Sequence, residues 1–277
     1  MKFLLLAVAV GSALAQAPDV AQIMSRVALN QAKSQDAREQ YVYNQKQLLR
    51  MVRSNHKIAR EERREYSIVP KVRGVGKKLT KFEGKYEIHG NFVDYDTPAF
   101  QYKGMDIDGQ LLDAMSNGMT NDHDAPDGIS HDLFPLTYHQ QLRYDFRLVG
   151  TETYRGRQVY RIAFEPKPHE HLEDCGVWKG EALIDAEEYQ PVSVHTTMAL
   201  KIPAAVKILL GSNVKGLGFS LTYQKFADGV WFPVSYGGEF EVRMVFFYRR
   251  TISVSMTNSD FRRADVTSNI AYSIDQQ

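Results

Sequence analysis

Two short segments of the chain collect side chains of the types that bind metal ions. The first spans residues 122–132 and is rich in Asp and His; the second spans residues 169–175. In the second, His169 and His171 would point the same way on a strand, and Cys175 could return as a third ligand, a combination that zinc accepts. The spacing in neither segment matches a standard metal motif. We therefore expect no bound metal, and a metal-dependent hydrolase built on His169, His171 and Cys175 is an alternative.

Other catalytic patterns are missing from the sequence. There is no Gly-x-Ser-x-Gly elbow and no His-Glu-x-x-His motif. Cys175 is the single cysteine, so the chain cannot form an internal disulfide and depends on its core for stability. The sequence thus predicts that the protein is not an enzyme, with no catalytic residue and no cofactor.

The charge balance argues against a polyanionic partner. The chain carries 34 basic and 33 acidic residues, for a formal net charge of +1. Such a balance gives no long-range attraction towards nucleic acid. We expect no nucleic-acid partner.

The first residues are typical of a cleavable secretory signal peptide. Lys2 supplies a positive charge, residues 3–10 form an unbroken apolar run, and Ala13-Leu14-Ala15 has the small-x-small pattern that signal peptidase accepts. The run is shorter than the about 20 residues of a membrane-spanning helix. We expect residues 1–15 to be removed and residues 16–277 to form a single domain. An uncleaved anchor, or a cut after Ala17, is the alternative.

Hydrophobic periodicity predicts one long helix and then many strands. Apolar residues recur at helical spacing from Val20 to Ala28, so residues 18–39 are predicted to be an amphipathic helix, and Leu111–Met115 a short one. From residue 41 onward, and above all from 144 to 257, apolar and polar residues alternate between short turns. This alternation is typical of an antiparallel sheet with one buried face. The charged strand segment 60–65 is expected to be solvated on at least one face or to protrude beyond the sheet.

A bare apolar sheet face must be covered, and this decides the fold class. The protein is predicted to be mainly β (α+β): a curved antiparallel sheet or incomplete β-barrel, covered by the N-terminal helix and short helices. The apolar segment 199–219 is interrupted by lysines and does not read as a membrane span. It is either a core connection or a flap over an apolar cavity, with Ile208, Leu209 and Leu210 as the candidate ligand-binding residues.

Several strand segments resemble the outer-membrane lipoprotein-sorting families, the LolA/LolB-like proteins. The resemblance lies in a strand with Gly150-Thr151-Glu152, an apolar strand ending in Pro166-Lys167, a strand with Ile184-Asp185 followed by Pro191-Val192, and the hairpin Asp228–Pro233. It covers residues 40–265, with the recognisable segments between 144 and 235. The resemblance implies an unclosed antiparallel barrel with helices in its mouth, an apolar cavity for acyl chains, and a Gram-negative periplasm.

Together these features predict a carrier or sensor of the cell envelope. It would bind an apolar or acyl ligand, a lipid or a lipoprotein, inside a half-open barrel, with peripheral contact with a membrane left open. A structural or scaffold protein is the alternative, because large aromatic side chains can fill a small barrel. Candidates for such filling are Phe146, Tyr160, Phe164, Phe219, Tyr223, Phe240 and Phe246.

Overall fold

A computed structural model describes residues 18–71, 75–98, 100–102, 106–118, 134, 136–168, 178–198, 213–216, 218–244 and 248–264. Within these residues the chain forms three helices and twelve strands. In chain order they are α1 (Val20–Arg38), β1 (Tyr41–Arg53), β2 (Ile58–Pro70), β3 (Val75–Ile88), β4 (Asn91–Tyr95), α2 (Ile107–Gly118), α3 (Tyr138–Gln141), β5 (Tyr144–Tyr154), β6 (Arg157–Pro166), β7 (Trp178–Asp185), β8 (Pro191–Met198), β9 (Asn213–Lys215), β10 (Gly218–Ala227), β11 (Val230–Met244) and β12 (Tyr248–Arg263).

All twelve strands belong to one antiparallel sheet. Its order is β4-β3-β2-β1-β12-β11-β10-β8-β7-β6-β5, and β9 pairs with β11 beside this path. Strands β4 and β5 end the path, and no ladder joins them among the described residues, so that part of the chain does not close into a barrel. Register shifts interrupt several ladders, as between Val42 and Asn44 or between Leu148 and Gly150. Such irregularities bend strands and increase their twist. The predicted curved antiparallel sheet is confirmed.

The core lies between one face of the sheet and the first two helices. Every second residue of the central strands is buried there, as the alternation predicted, and one apolar cluster joins them to α1 and α2. Burial of apolar surface contributes about 25 cal/mol per Å² and is the main stabilising term for such a layer. A smaller aromatic cluster forms where β1 begins and β12 ends, around Tyr43 and Phe232.

Helix α1 confirms the helix predicted from residue 18 to residue 39. Asp19 caps it, accepting a hydrogen bond from Ala21 N at 3.2 Å. Its buried stripe begins with Ile23, Met24 and Val27, as predicted, but continues with the polar residues Gln31, Ser34 and Arg38. The short helix predicted at 111–115 is also present, as the longer α2. None of the described helices combines the length and the apolar composition needed to cross a bilayer.

The expectation of a solvated face for residues 60–65 holds for Arg63, which is exposed, but most of this run is buried. Arg60 is 1% exposed, Glu62 is completely buried, and Glu61 and Arg64 are nearly so. Burying a charge is costly unless it is paired and hydrogen-bonded. Here the alternate residues of β2 pair with one another under α2, so the charges neutralise each other inside the protein instead of facing water.

Several predictions concern residues outside the described part of the chain. The signal peptide of residues 1–15, both candidate metal segments, the flap residues Ile208, Leu209 and Leu210, and Phe246 all lie there. They stay predictions.

Candidate functional site

An apolar groove runs along the outer side of α1. Its volume is about 350 Å³, and its second wall is formed by residues 136–138, which lead into α3. The apolar part of its lining consists of Ala28, Leu29, Ala32, Leu136 and Tyr138. The polar part consists of Ser25, Gln31, Gln35 and Thr137, so no charged side chain is part of the described lining. We call this feature the α1 groove.

The rim of the α1 groove is an exposed apolar surface. Leu29 is 58% exposed and Tyr138 is 64% exposed. Leu142, one helical turn after Tyr138, is exposed as well, and residues four apart lie on the same side of a helix. Single exposed apolar residues are ordinary, but a cluster of them beside a cavity is typical of a binding surface.

Polar bonds fix the second wall of the groove against α1. Thr137 and Gln140 form a capping box: Gln140 N donates to Thr137 Oγ1 at 3.3 Å, and Thr137 N donates to Gln140 Oε1 at 3.1 Å. Gln141 Nε2 donates to Met24 O at 3.0 Å and to Leu136 O at 3.3 Å. This side chain therefore ties the two walls together and sets the width of the groove.

The second half of α1 is held on the sheet by hydrogen bonds to Trp231. Ser34 Oγ accepts from Trp231 N at 3.1 Å and lies 3.3 Å from Trp231 O, and Arg38 Nη1 donates to the same carbonyl oxygen at 2.9 Å. The indole Nε1 of Trp231 donates to Glu188 at 2.9 Å. These bonds attach to the sheet the helix that forms the floor of the groove.

Gln31 stands out among the residues that line the groove. It is 4% exposed and donates from Nε2 to Gln190 Oε1. Gln190 in turn donates to Asn30 O at 3.1 Å. Among the described residues, the Oε1 atom of Gln31 has no hydrogen-bond donor. An unsatisfied buried acceptor costs about 1–3 kcal/mol.

A cluster of paired charges lies beneath α2. Glu62 accepts from Arg60 Nε at 3.1 Å, from Arg64 Nε at 2.9 Å and from the Tyr95 hydroxyl at 2.6 Å. Arg60 also pairs with Asp106, which caps α2 by accepting from Gly109 N at 2.9 Å. Burial, reinforced by the Glu62 carboxylate, raises the pKa of Tyr95, so its hydroxyl stays protonated and donates.

Acidic residues of α2 extend this attachment to the sheet. Asp108 accepts from the Tyr248 hydroxyl at 2.5 Å and from Arg250 Nε at 3.1 Å, and Asp113 pairs with Arg64. Burial, followed by the Asp108 charge, raises the pKa of Tyr248. The carboxylates and guanidinium groups of this cluster are engaged with one another and attach α2 to the sheet.

The sequence analysis missed the α1 groove. Its predicted ligand residues, Ile208, Leu209 and Leu210, lie outside the described residues, as do both candidate metal segments. In the part of the chain that the structure describes, no three His, Cys, Asp or Glu side chains group as metal ligands. A signal for the groove was present, because Ala28, Leu29 and Ala32 form a second small apolar stripe on α1. Its opposite wall, however, is more than 100 residues away in sequence.

Comparisons with known proteins give distant structural similarities. No protein-family model matches the sequence, and no curated protein matches it. The chain is similar to a solved domain from Vibrio parahaemolyticus provisionally described as outer membrane lipoprotein-sorting (12% identity, 87% of this chain and 94% of that chain, TM-score 0.38). It is also similar to a LolA superfamily protein from Nitrosomonas europaea (10% identity, 90% and 96% covered, TM-score 0.34). A third is a DUF1329 family protein from Desulfovibrio piger (13% identity, 89% and 94% covered, TM-score 0.34).

The family that the sequence resembles thus recurs among the structural matches. At these identities and TM-scores the matches carry no conclusion about ligand or activity.

Proposed function

We propose that this chain is a periplasmic carrier or sensor that binds the acyl chain of a lipid or lipoprotein, and that the α1 groove receives the chain. The observation that carries the proposal is an apolar groove of about 350 Å³ with an exposed apolar rim. Small-molecule sites usually enclose about 300–1,000 Å³ and are mostly apolar. Export rests on the signal-peptide pattern of residues 1–15, and the periplasmic location rests on the resemblance to the lipoprotein-sorting families.

The size of the groove sets the affinity to expect. Each buried methylene contributes about 0.8 kcal/mol, so about ten of them contribute about 8 kcal/mol, which corresponds to micromolar binding before the cost of ordering the chain. The uncharged lining suits an acyl chain better than an ionised ligand. A charged group would move from water into the groove without a counter-ion, which costs free energy.

Displacement of a fluorescent fatty-acid probe by phospholipid or lipopeptide tests this proposal. We expect saturable binding, and Leu29→Asp should weaken it at least about tenfold because a carboxylate at the rim opposes entry of an apolar chain. Phe92→Asp is the matched control, since Phe92 is 51% exposed on β4, outside the groove. Absence of saturable binding, or equal effects of the two substitutions, contradicts the carrier proposal.

A scaffold protein is the second candidate function. The aromatic side chains Phe164, Phe219, Tyr223 and Phe240 are buried on the inner face of the sheet, and Val194 and Ile252 are completely buried beside them. An interior filled in this way needs no ligand to be stable. The same displacement assay distinguishes the two, because a scaffold gives no competable binding. The cavity predicted beneath residues 199–219, the hydrolase alternative and the absence of enzymatic activity stay predictions.

A further inference from the structure

Strand β5 ends the sheet on one side, and its outer edge is open in the part of the chain that the structure describes. There it pairs with β6 alone. An open edge presents backbone N–H and C=O groups that can pair with another strand. β5 has 11 residues, and a register shift interrupts it between Leu148 and Gly150. Residues 144–148 are therefore the regular part of this edge.

The backbone groups that face the open edge follow from one hydrogen bond. Lys167 N donates to Arg143 O at 2.9 Å, which marks a hydrogen-bonded position of the ladder with β6. Hydrogen-bonded and non-hydrogen-bonded positions alternate along an antiparallel ladder. Pro166, which has no N–H, accordingly stands at a non-hydrogen-bonded position. By the same alternation, the N–H and C=O groups of Phe146 and Leu148 point away from β6, towards the open edge.

The side chains of this segment form a symmetrical pattern. Tyr144, Phe146 and Leu148 are half-buried and pack against the core on the inner face of the sheet. Asp145 and Arg147 alternate with them and are exposed on the outer face. Among the described residues, neither of these two charged side chains has an ion-pair partner. Opposite charges thus stand on the two sides of Phe146, each available to a group beyond the edge.

Asp145 has an unfavourable neighbour within its own sheet. It lies directly opposite Glu165 of β6, and like charges opposite each other across a ladder are destabilising. A cation on the open side of β5 would offset this repulsion. The edge therefore favours a partner strand that carries a basic residue at this position.

We propose that the partner is a second copy of this chain, and that two β5 strands pair antiparallel about a twofold axis at Phe146. Asp145 of each copy then lies opposite Arg147 of the other, and Tyr144 lies opposite Leu148. The two Phe146 residues exchange backbone hydrogen bonds. The charged positions are then non-hydrogen-bonded pairs, in which the Cα atoms are about 4.5 Å apart and the side chains are close. The edge is thus self-complementary, as the interface of a twofold dimer must be.

Exposed apolar side chains at both ends of the segment agree with this register. Leu142 is 52% exposed and Val149 is 43% exposed. Pairing about Phe146 places Leu142 of one copy beside Val149 of the other, so both lose contact with water. Removing apolar surface from water stabilises the contact.

The opposite end of the sheet lacks this symmetry. Antiparallel pairing of two β4 strands about their central residue, Val93, places the apolar Phe92 opposite the acidic Asp94. An unpaired carboxylate against an apolar side chain gives no attraction. The contact between copies is therefore assigned to β5 and not to β4.

Sedimentation velocity of the whole mature protein tests the proposal. A contact of this size corresponds to a weak dimer, so we expect the unmodified chain to shift from monomer to dimer between about 1 and about 300 µM. Asp145→Arg and Arg147→Asp should each weaken self-association at least about tenfold, because each places like charges opposite one another. Lys57→Asp, an exposed control in the turn between β1 and β2, should leave it unchanged.

A mixture of the two single variants tests the register. Asp145→Arg mixed with Arg147→Asp should form a mixed dimer, because every charged position then meets its opposite, and the chain with both substitutions should again self-associate. If the unmodified chain stays monomeric, or if the single variants associate as tightly as it does, the proposal is overturned. Variants that fold normally by circular dichroism but do not associate with each other overturn the register. None of these outcomes depends on acyl binding.

Discussion

At the scale of single residues, the paired charges of β2 carry the clearest test. Glu62 is completely buried between Arg60 and Arg64, and removing its charge leaves their guanidinium groups with only Asp106 and Asp113 as carboxylate partners. Breaking a buried ion pair on one side costs about 3–5 kcal/mol. We therefore expect Glu62→Gln to lower the free energy of unfolding by about that amount in urea denaturation. Glu83→Gln, an exposed residue paired with Lys81, should change it little. Similar losses in both variants contradict this account.

Lys77 predicts a pH dependence with a definite sign. Burial, followed by the charge of Arg64, lowers the pKa of Lys77 from 10.5 to about 8. In the unfolded chain the amine keeps its proton up to pH 10.5, so between pH 8 and pH 10.5 the unfolded state binds more protons than the native state. Stability from this group therefore rises with pH across that window, and its charged form opposes folding below pH 8.

The measurement compares Lys77→Met with the unmodified chain. The variant should be more stable at pH 7, and its advantage should shrink as the pH rises towards 10.5. The ring of Tyr66, 3.9 Å from the amine, opposes part of this effect because it favours the charged form. If denaturation curves give the same difference in free energy of unfolding between the two proteins at pH 7 and at pH 10, the explanation is ruled out.

These residues also show where prediction from sequence stops. The charged residues 60–65 predict a strand that is solvated on at least one face, because the partners that make burial tolerable are not visible locally. Arg60 pairs with Asp106, 46 residues later in the chain. Gln31 reads as an ordinary polar position of an amphipathic helix, and only its contact with Gln190, 159 residues away, leaves its oxygen unpaired.

At the scale of elements, periodicity predicted α1 and the strands well because each follows from one apolar face. What it could not predict is how α1 is fastened. The polar residues Ser34 and Arg38 occupy the buried stripe where apolar residues would be expected, because the backbone of Trp231 offers a donor and an acceptor there. The groove likewise depends on two elements that meet only in the folded chain.

The fastening of α1 can be tested with one hydroxyl. Ser34→Ala removes the acceptor of Trp231 N within a buried site, and we expect a loss of about 1–3 kcal/mol in the free energy of unfolding. Ser25→Ala, on the exposed side of the same helix, should be neutral or slightly stabilising, since Ala is the better helix former. Thermal unfolding monitored by circular dichroism measures both. Equal changes in the free energy of unfolding in the two variants would mean that the hydrogen bond between Ser34 and Trp231 makes no net contribution to stability.

At the scale of the whole molecule, protection should fall from the centre of the sheet to its ends. Leu49 in β1 and Val254 in β12 pair in the middle of the sheet and are buried, whereas β4 has a neighbour on one side only. Hydrogen exchange followed by mass spectrometry should find the slowest amides in β1 and β12 and fast exchange in β4, although β4 is hydrogen-bonded to β3. Uniform protection across the sheet would contradict this expectation.

The pairing of β1 with β12 also bears on when the chain can fold. Tyr41 pairs with Arg263, and the two strands lie between β2 and β11. Contacts between residues so distant in sequence give a high contact order. The chain loses the entropy of closing this long loop before the contacts form and stabilise it, and folding is therefore slow. A nascent chain without β12 has bare edges on β1 and β11, so the native sheet assembles only after β12 has been synthesised. For a polypeptide exported as proposed, slow formation of this pairing would leave the chain unfolded while it is threaded through a translocation channel. Slow refolding of the purified chain would support this expectation.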